Sequence, residues 1–375
     1  ITYTYDYGTG NILTTTDPNN QTTTYQYDPL GRLLKVIGPN DTESQPKIVY
    51  EFDLSTQPTR LTTRIKTSSS PFSQLSNYQF YDGLGRTIQT RSQAENTPDG
   101  RPRQAISDIV KFDSQGRIKE KYLSYFVPDS KTYSAPDYSQ PKTSFSYDAL
   151  GRLTQTVNPD ATYSSVSYSD WVITAADENR HSKTQYQDAY GRITKIEEHN
   201  GTQIYTTTYR YDTQDSLIQL IDNQANSTYF TYDSLGRKLR SDDPDMGVWN
   251  YEYDKSGNLI RQTDAKGQII KFDYDSLNRL IQKTEDRGQR IEILATYQYD
   301  DALKPNSIGR LSKVTDPSGS TAFFYDNLGR KIKSVKIVDS LEFIVQREYD
   351  ALNRLTKLTY PDGEAVSYTY NLAGA

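Results

Sequence analysis

The stretch YFTYDSLGRKLRSDDPDMGVWNYEYDKSGNLIRQTDAKGQIIKFDYDSLNRL, Tyr229 to Leu280, places Tyr-Asp at 232–233, 253–254 and 274–275, one pair every 21 residues. Within a unit the first segment alternates, as in Tyr251-Glu252-Tyr253 and again in Tyr25-Gln26-Tyr27. Period-two alternation puts both rings on one face of a strand and the polar residue on the other. The residues that follow have the chemistry of a turn. An Asp side chain accepts from backbone N–H groups just ahead of it, and the fourth position then needs a residue at ease with positive φ.

The unit recurs along the chain. Tyr-Asp stands at 5, 27, 81, 147, 211, 232, 253, 274, 299, 325 and 349, and Phe-Asp at 52 and 112 fills two gaps. Degenerate forms occur around Tyr168 and Gln187, and YTYN at 368–371 carries the register to the end. About fifteen units make residues 1–375 a single tandem array. The fourth turn position is Gly31, Gly85, Gly116, Gly151, Gly191, Gly236, Gly257 and Gly329, with Asn278, Asn353 and Asp215 as exceptions. Asn and Asp are the non-glycine residues that best tolerate the left-handed region, so the exceptions follow the same sterics. A second alternating run such as Leu153–Val157 follows, then a second breaker cluster: DPNN at 17–20, NPDA at 158–161, DAKG at 264–267, DPSG at 316–319, YPDG at 360–363. Each unit is therefore strand, turn, strand, turn, with strands of about six residues, roughly 20 Å long.

Only 34% of the residues are hydrophobic, yet 32 are tyrosine, a strong strand former with a large apolar body. The reading is an all-β protein of tandem β-hairpins. No segment keeps a helical apolar period with caps at both ends. A net charge of −5 supplies no basic field for nucleic acid. No apolar run approaches the roughly 18 residues of a spanning helix, and ITYTYDYGTG has no signal-peptide pattern. The chain lacks an initiator Met, and an excerpt of a longer chain is expected. Cysteine is absent and only His181 and His199 are present, so thiolate chemistry is excluded and neither a metal site nor a cofactor is expected.

One hairpin cannot bury its face alone, so neighbouring units must stack and share a tyrosine-rich layer. Some thirty strands at ~4.8 Å spacing make a ribbon of about 140 Å, which must curl or close. Pattern alone leaves two forms open, a curl around a lumen and a tight solenoid with a filled core.

The motif Tyr-Asp-x-x-Gly-Arg, as in YDPLGR at 27–32, YDGLGR at 81–86, YDALGR at 147–152, YDSLGR at 232–237 and YDNLGR at 325–330, resembles the signature of RHS or YD-repeat proteins over nearly the whole chain. Similar chains include bacterial RHS polymorphic toxins, the B and C components of Tc toxin complexes, and animal teneurins. The resemblance implies a long curled antiparallel sheet that spirals into part of a hollow shell, a structural and non-catalytic role in enclosing a C-terminal toxin or effector polypeptide, and shell-completing domains outside this chain. It implies a secreted or cell-surface bacterial monomer. Bacterial members also carry an Asp-Pro-x-Gly type motif where aspartyl autoproteolysis frees the cargo. TDPSGS at 315–320 contains Asp-Pro-x-Gly, but another repeat follows it, so it reads as an ordinary second turn. A surface-exposed YD-repeat module binding carbohydrate or a receptor protein is the competing function.

The site expectation is structural: the turn positions Asp28, Gly31 and Arg32; Asp148, Gly151 and Arg152; Asp233, Gly236 and Arg237; Asp275, Asn278 and Arg279; and Asp326, Gly329 and Arg330. Each Arg follows an Asp by four residues, and pairing across adjacent turns is expected. Asp242 with Asp243 and Glu197 with Glu198 are the candidate acid–base pairs, but turn chemistry accounts for nearly every Asp of the repeat and no catalytic residue is assigned. DDPDMG at 242–247 lacks the spacing and closing Glu of a calcium loop. His181 and His199 lie in or beside second turns and read as solvated loop residues. Long loops are expected at 91–105 and 125–143, where the period breaks. The Asn-x-Ser/Thr sites at Asn20, Asn40, Asn200 and Asn226 are chance matches in an Asn- and Thr-rich chain.

Overall fold

The computed structural model describes residues 1–67, 74–288 and 290–370; Asn371, which closes the YTYN stretch, and the rest of YNLAGA lie outside them. The described residues form thirty-three strands joined by turns, with no helix. This is the all-β class that the alternation predicts.

The chain divides into two compact units, Ile1–Lys142 with Tyr297–Ala375, and Thr143–Thr296. In the second, each strand pairs antiparallel with the next in an uninterrupted meander. In the first, a ten-stranded sheet runs from Thr2–Tyr5 to Arg103–Ser107 and ends with Tyr125–Pro128, which pairs with Arg103–Ser107. A hairpin of Val110–Phe112 and Ile118–Tyr122 follows, and a further meander runs from Leu311–Asp316 to Ala365–Ser367.

Register slips by one residue at the repeat tyrosines. Gln26 faces Lys35 but Tyr27 faces Leu33; Glu252 faces Arg261 but Tyr253 faces Leu259; Glu348 faces Lys357 but Tyr349 faces Leu355. One extra residue is thus inserted opposite each of these tyrosines. Such a bulge takes a backbone group out of the ladder, bends its strand and sharpens the local right-handed twist.

Among the described residues neither unit has a continuous filled core. Among the described residues of the second unit, Ala295 is the one buried hydrophobic side chain. Most strand residues there are half-buried on both faces, as a sheet one layer thick requires. Among the described residues of the first unit, Ile106, Ile109 and Tyr122 form a buried cluster, and Tyr78, Phe80 and Ala94 are buried as well. The segment 129–141 covers them as a strap. Ser134 accepts from Gln89 Nε2 at 2.9 Å through its carbonyl and from Arg91 Nη2 at 2.6 Å through its hydroxyl, and Tyr133 meets Phe80 edge-on at 5.7 Å. Glu120, held by Lys142, the Tyr122 hydroxyl and Lys111, has its carboxyl pulled down to about 2, first by Lys142.

The two breaks in the period are shorter than the expected loops. Gln93 pairs with Gln104 and Ala94 with Arg103, so residues 91–94 and 103–105 belong to the sheet and a turn at Thr97–Gly100 joins them. Tyr125–Pro128 is an edge strand, and Lys142 already begins the next one. Prolines and serines concentrate in both stretches, but the flanking residues still alternate, and alternation decides pairing.

Gly319 shows how closely the backbones approach. Its φ is 138°, and a Cβ built there would lie 1.8 Å from the Ile337 carbonyl oxygen. Gly363 has a φ of 89° but open space around it. Gly319→Ala is expected to lower stability by about 1–3 kcal/mol through overpacking, and Gly363→Ala by clearly less, as read from thermal or urea unfolding of the two variants.

Candidate functional site

The repeated feature that carries the chemistry is the Tyr-Asp turn together with the repeat that follows it. In the turn at Asp28, the Asp28 N–H donates to the Arg32 carbonyl and the Gly31 N–H to the Asp28 carbonyl, both at 2.9 Å. This is a type I turn closed by a left-handed residue, a common three-residue hairpin loop. The carboxylate locks it. Asp28 Oδ1 accepts from the N–H groups of Leu30 and Arg32 at 2.9 Å, and Oδ2 from Arg32 Nε at 2.6 Å. Asp148, Asp233, Asp275 and Asp326 make the same three bonds, to Leu150 and Arg152, Leu235 and Arg237, Leu277 and Arg279, and Leu328 and Arg330.

The fourth position is left-handed at Gly31 (77°), Gly151 (83°), Gly236 (76°) and Gly329 (79°), and equally at Asn278 (60°), Asn353 (63°) and Asp215 (65°). Second turns close in the same way with residues that the steric argument would not have chosen: Ala161, Arg180 and Ala225 have φ of 67–69°. Their loops are held by the same pair of backbone bonds, as at Asp222, where the Ala225 N–H donates to the Asp222 carbonyl and the Asp222 N–H to the Asn226 carbonyl. Ring closure imposes the left-handed conformation whatever residue stands there.

The arginine pairs first within its own turn, and the expected pairing across to the next turn is seen at Arg192, which also binds Asp215. Nε is committed to the Asp four residues earlier because the turn brings that carboxylate back alongside it. The outer nitrogen reaches onward: Arg237 Nη1 donates to the Asp254 carbonyl at 2.9 Å, Arg330 Nη1 to the Asp350 carbonyl at 2.8 Å, and Arg192 Nη1 to Asp215 Oδ1 at 2.6 Å. Each guanidinium also lies against the ring of the following repeat. The distances to the ring centre are 4.2 Å from Arg152 to Tyr168, 4.9 Å from Arg237 to Tyr253, 5.0 Å from Arg330 to Tyr349 and 4.5 Å from Arg354 to Tyr370. The Phe-Asp units keep this contact, with Arg32 at 4.5 Å from Phe52 and Arg86 at 3.9 Å from Phe112. An exposed cation–π pair contributes about 0.5–1 kcal/mol.

The tyrosine hydroxyl completes the link. Tyr168 donates to the Leu153 carbonyl at 3.1 Å, Tyr253 to Lys238 at 3.0 Å, Tyr274 to Leu259 at 2.9 Å, Tyr349 to Lys331 at 3.1 Å and Tyr370 to Leu355 at 2.6 Å. Each acceptor faces the previous repeat's tyrosine at a bulge, as Leu153 faces Tyr147, Lys238 faces Tyr232 and Leu259 faces Tyr253. Burial raises the phenols of Tyr253 and Tyr274 above the ordinary tyrosine range.

The other candidates separate. Asp242 pairs with Arg240, while Asp243 accepts from the N–H groups of its own turn and from Thr228. Glu197 binds Lys195 and the Tyr186 hydroxyl, whereas Glu198 binds Lys183. Adjacent strand residues point to opposite faces, so neither pair shares a site. Asp316, of the Asp-Pro-x-Gly match, accepts from Ser318 N–H and hydroxyl inside a tight hairpin that pairs it with Gly319. His181 and His199 line one open hollow of about 470 Å³, a proximity that follows from the pairing of Ser182 with His199 across two strands. His181 Nδ1 lies 3.1 Å from Asp177, in the place an arginine takes in a first turn. Among the described residues no three His, Asp or Glu side chains converge as metal ligands, and no helix is long and apolar enough to cross a membrane.

Two substitutions at one turn separate backbone strain from lost contacts. A Cβ on Gly236 meets open space, so only its φ of 76° resists substitution. Gly236→Val is expected to cost about 1–3 kcal/mol and Gly236→Asn much less, compared by thermal melts.

The locked carboxylates give an acid dependence. Asp148, Asp233 and Asp275 are held below the ordinary Asp range, first by the N–H of the arginine four residues on. A depressed carboxyl stabilises the fold above its unfolded pKa of about 3.9, and that contribution is lost as pH falls through the lower folded value. The melting midpoint should be level from pH 7 to about 5 and fall below about 4. The triple variant Asp148→Asn, Asp233→Asn, Asp275→Asn should melt lower at pH 7 and lose less on acidification, as measured by calorimetry across that range.

Comparison with known proteins gives a consistent result. The teneurin YD-shell family model matches residues 1–340, and the RHS-repeat model matches residues 349–375. No sequence among curated proteins matches the chain. Among solved structures, the crystal structure of TcdB2-TccC3 superposes with a TM-score of 0.83 at 18% identity, over 99% of this chain and 23% of that one. TcdB2-TccC3 without its hypervariable C-terminal region gives 0.83 at 15% identity, covering 99% of this chain and 26% of that one. A Photorhabdus luminescens Tc holotoxin pore structure gives 0.82 at 16%, with coverage of 99% and 25%. The chain therefore shares their fold and spans about a quarter of their length.

Proposed function

The chain belongs to the teneurin YD-shell and RHS-repeat family, and from that premise we propose that it is a non-catalytic wall segment of a shell enclosing a toxin or effector polypeptide. The observation that carries this reading is the link from repeat to repeat. Arginine, ring, hydroxyl and bulge carbonyl join neighbouring hairpins through the second unit and in the later strands of the first. A sheet held together in this way keeps its form without a filled interior, as an enclosing wall must. The carboxylates and arginines of the repeat are engaged with one another inside the turns, which leaves enclosure rather than catalysis as their role. The name of one neighbour, with its hypervariable C-terminal region, is in keeping with a constant wall around a variable passenger. The partners of the segment are then the enclosed polypeptide and the domains that complete the shell, and the setting is a secreted or cell-surface bacterial protein.

The intact native gene product tests this directly. Under limited proteolysis followed by mass spectrometry, its C-terminal segment is expected to survive at protease doses that digest the same segment expressed alone. Equal digestion of the two would overturn enclosure and favour a surface module binding carbohydrate or a receptor.

A further inference from the structure

The third position of the Tyr-Asp turn is Leu30, Leu84, Leu150, Leu235 and Leu277, and tyrosine at Tyr190. The turn does not require an apolar residue there. Gln115 and Gln214 occupy the same place, and their turns keep the same lock: Asp113 Oδ1 accepts from Gln115 and Arg117 at 2.9 Å, and Asp212 Oδ1 from Gln214 at 2.8 Å and Ser216 at 2.9 Å. Nor does the chain bury these side chains, which are 67–81% exposed. Singly exposed leucines need no explanation. These recur at one turn position, and alternate turns of an antiparallel meander fall on one edge of the sheet, so within each unit they form a row.

Two leucines at this position, Leu328 and Leu352, are less exposed than these. Within the first unit Leu328 is 36% exposed and, with Thr23 and Pro39, lines two hollows of about 300 and 310 Å³. Its turn meets the second-turn loops of the first strands. The side-chain amides of Asn327 and Asn40 bond each other reciprocally. Beside them, Asn19 accepts from the Ile308 N–H at 3.0 Å and donates to the Ile308 carbonyl at 3.1 Å, as a neighbouring strand would. Arg310 reaches Asp17 at 3.4 Å.

We propose that the exposed leucine edge is a docking surface whose occupant is an edge of Asn- and Pro-bearing second-turn loops from further Tyr-Asp strands of the same wall. They would lie against it as the loops at 17–20 and 38–41 lie against 306–329. Continuity with the seated turn at Leu328 argues for this occupant, and so does its chemistry: an apolar tip between prolines, flanked by amides that bond one another across the seam. The inference rests on the shell reading and deepens it, because a wall that excludes proteases has to seal edge to edge.

The chain has no cysteine, so Leu150→Cys, Leu235→Cys and Leu277→Cys each add one thiol to this stretch, with Leu328→Cys as the seated reference. Maleimide labelling is followed in the intact native gene product, folded and in urea, above the unsubstituted background. The expected result is at least tenfold slower labelling in the folded protein at all four positions. Labelling of the three edge thiols at the denatured rate, with Leu328→Cys protected, would overturn the proposal. Protection that disappears on dilution would also overturn it, since the occupant would then be a second copy. Hydroxyl-radical footprinting of the unsubstituted leucines gives the same reading without mutation. A C-terminal segment that stays protease-resistant beside unprotected edge thiols leaves enclosure standing and removes this inference alone.

Discussion

The carbonyl that faces the repeat tyrosine at each bulge is the group around which the repeat is arranged. It is satisfied by a hydroxyl carried one repeat further on, as Tyr253 does for Lys238 and Tyr274 for Leu259. A buried acceptor left without a donor costs roughly 1–3 kcal/mol, so each hairpin depends on the next being correctly placed. The same ring receives the guanidinium of the earlier turn, and that guanidinium is held in position by its own Asp. Asp therefore acts on the neighbouring repeat through Arg. Stability in such an array is a sum of nearest-neighbour terms, which is how a hairpin too weak to stand alone becomes part of a long sheet.

This arrangement explains how the chain does with so few buried side chains. A filled core relies on apolar area, and outside the patch under the strap at 129–141 almost none is fully buried. Here the half-buried tyrosine body supplies apolar contact while its tip supplies the hydrogen bond, and one residue type does both. The cost falls on sequence freedom: Tyr, Asp, the left-handed position and Arg are coupled. Where one member changes, its partner adapts. Asn258 stands where Arg is usual and still donates to Asp254 Oδ2 at 2.8 Å, while its amide also reaches Asn278 in the next turn at 2.9 Å.

The strands, the first turns and their left-handed positions were legible because each is a local pattern. Tyr251-Glu252-Tyr253 alternates, and the residues at 278, 353 and 215 obey the sterics that glycine obeys elsewhere. That the arginine's first partner is its own Asp was not legible, because spacing gives only sequence distance and the turn folds the two back onto one another; the cross-turn pair holds at Arg192 with Asp215. Ala161, Arg180 and Ala225 were not readable as left-handed, since closure of the loop and not the residue sets their φ. The shared hollow of His181 and His199 needed strand register. The contacts of Asn40 with Asn327 and of Asn19 with Ile308 join residues nearly three hundred positions apart, and no periodicity encodes them.

The alternation of two turn types has a consequence beyond each hairpin. First turns present Asp, Leu and Arg; second turns present Pro, Asn and Asp; and in a meander the two types lie on opposite edges of the sheet. The edges are therefore chemically unlike. The seam within the first unit joins a first-turn edge to a second-turn edge, with Arg310 facing Asp17 and Leu328 lining hollows with Pro39. A contact between unlike edges is heterologous and does not close by twofold symmetry. Each seam of this kind leaves a further edge of each type free to continue, so the number of strands, and not the symmetry of the contact, sets how far such a sheet extends.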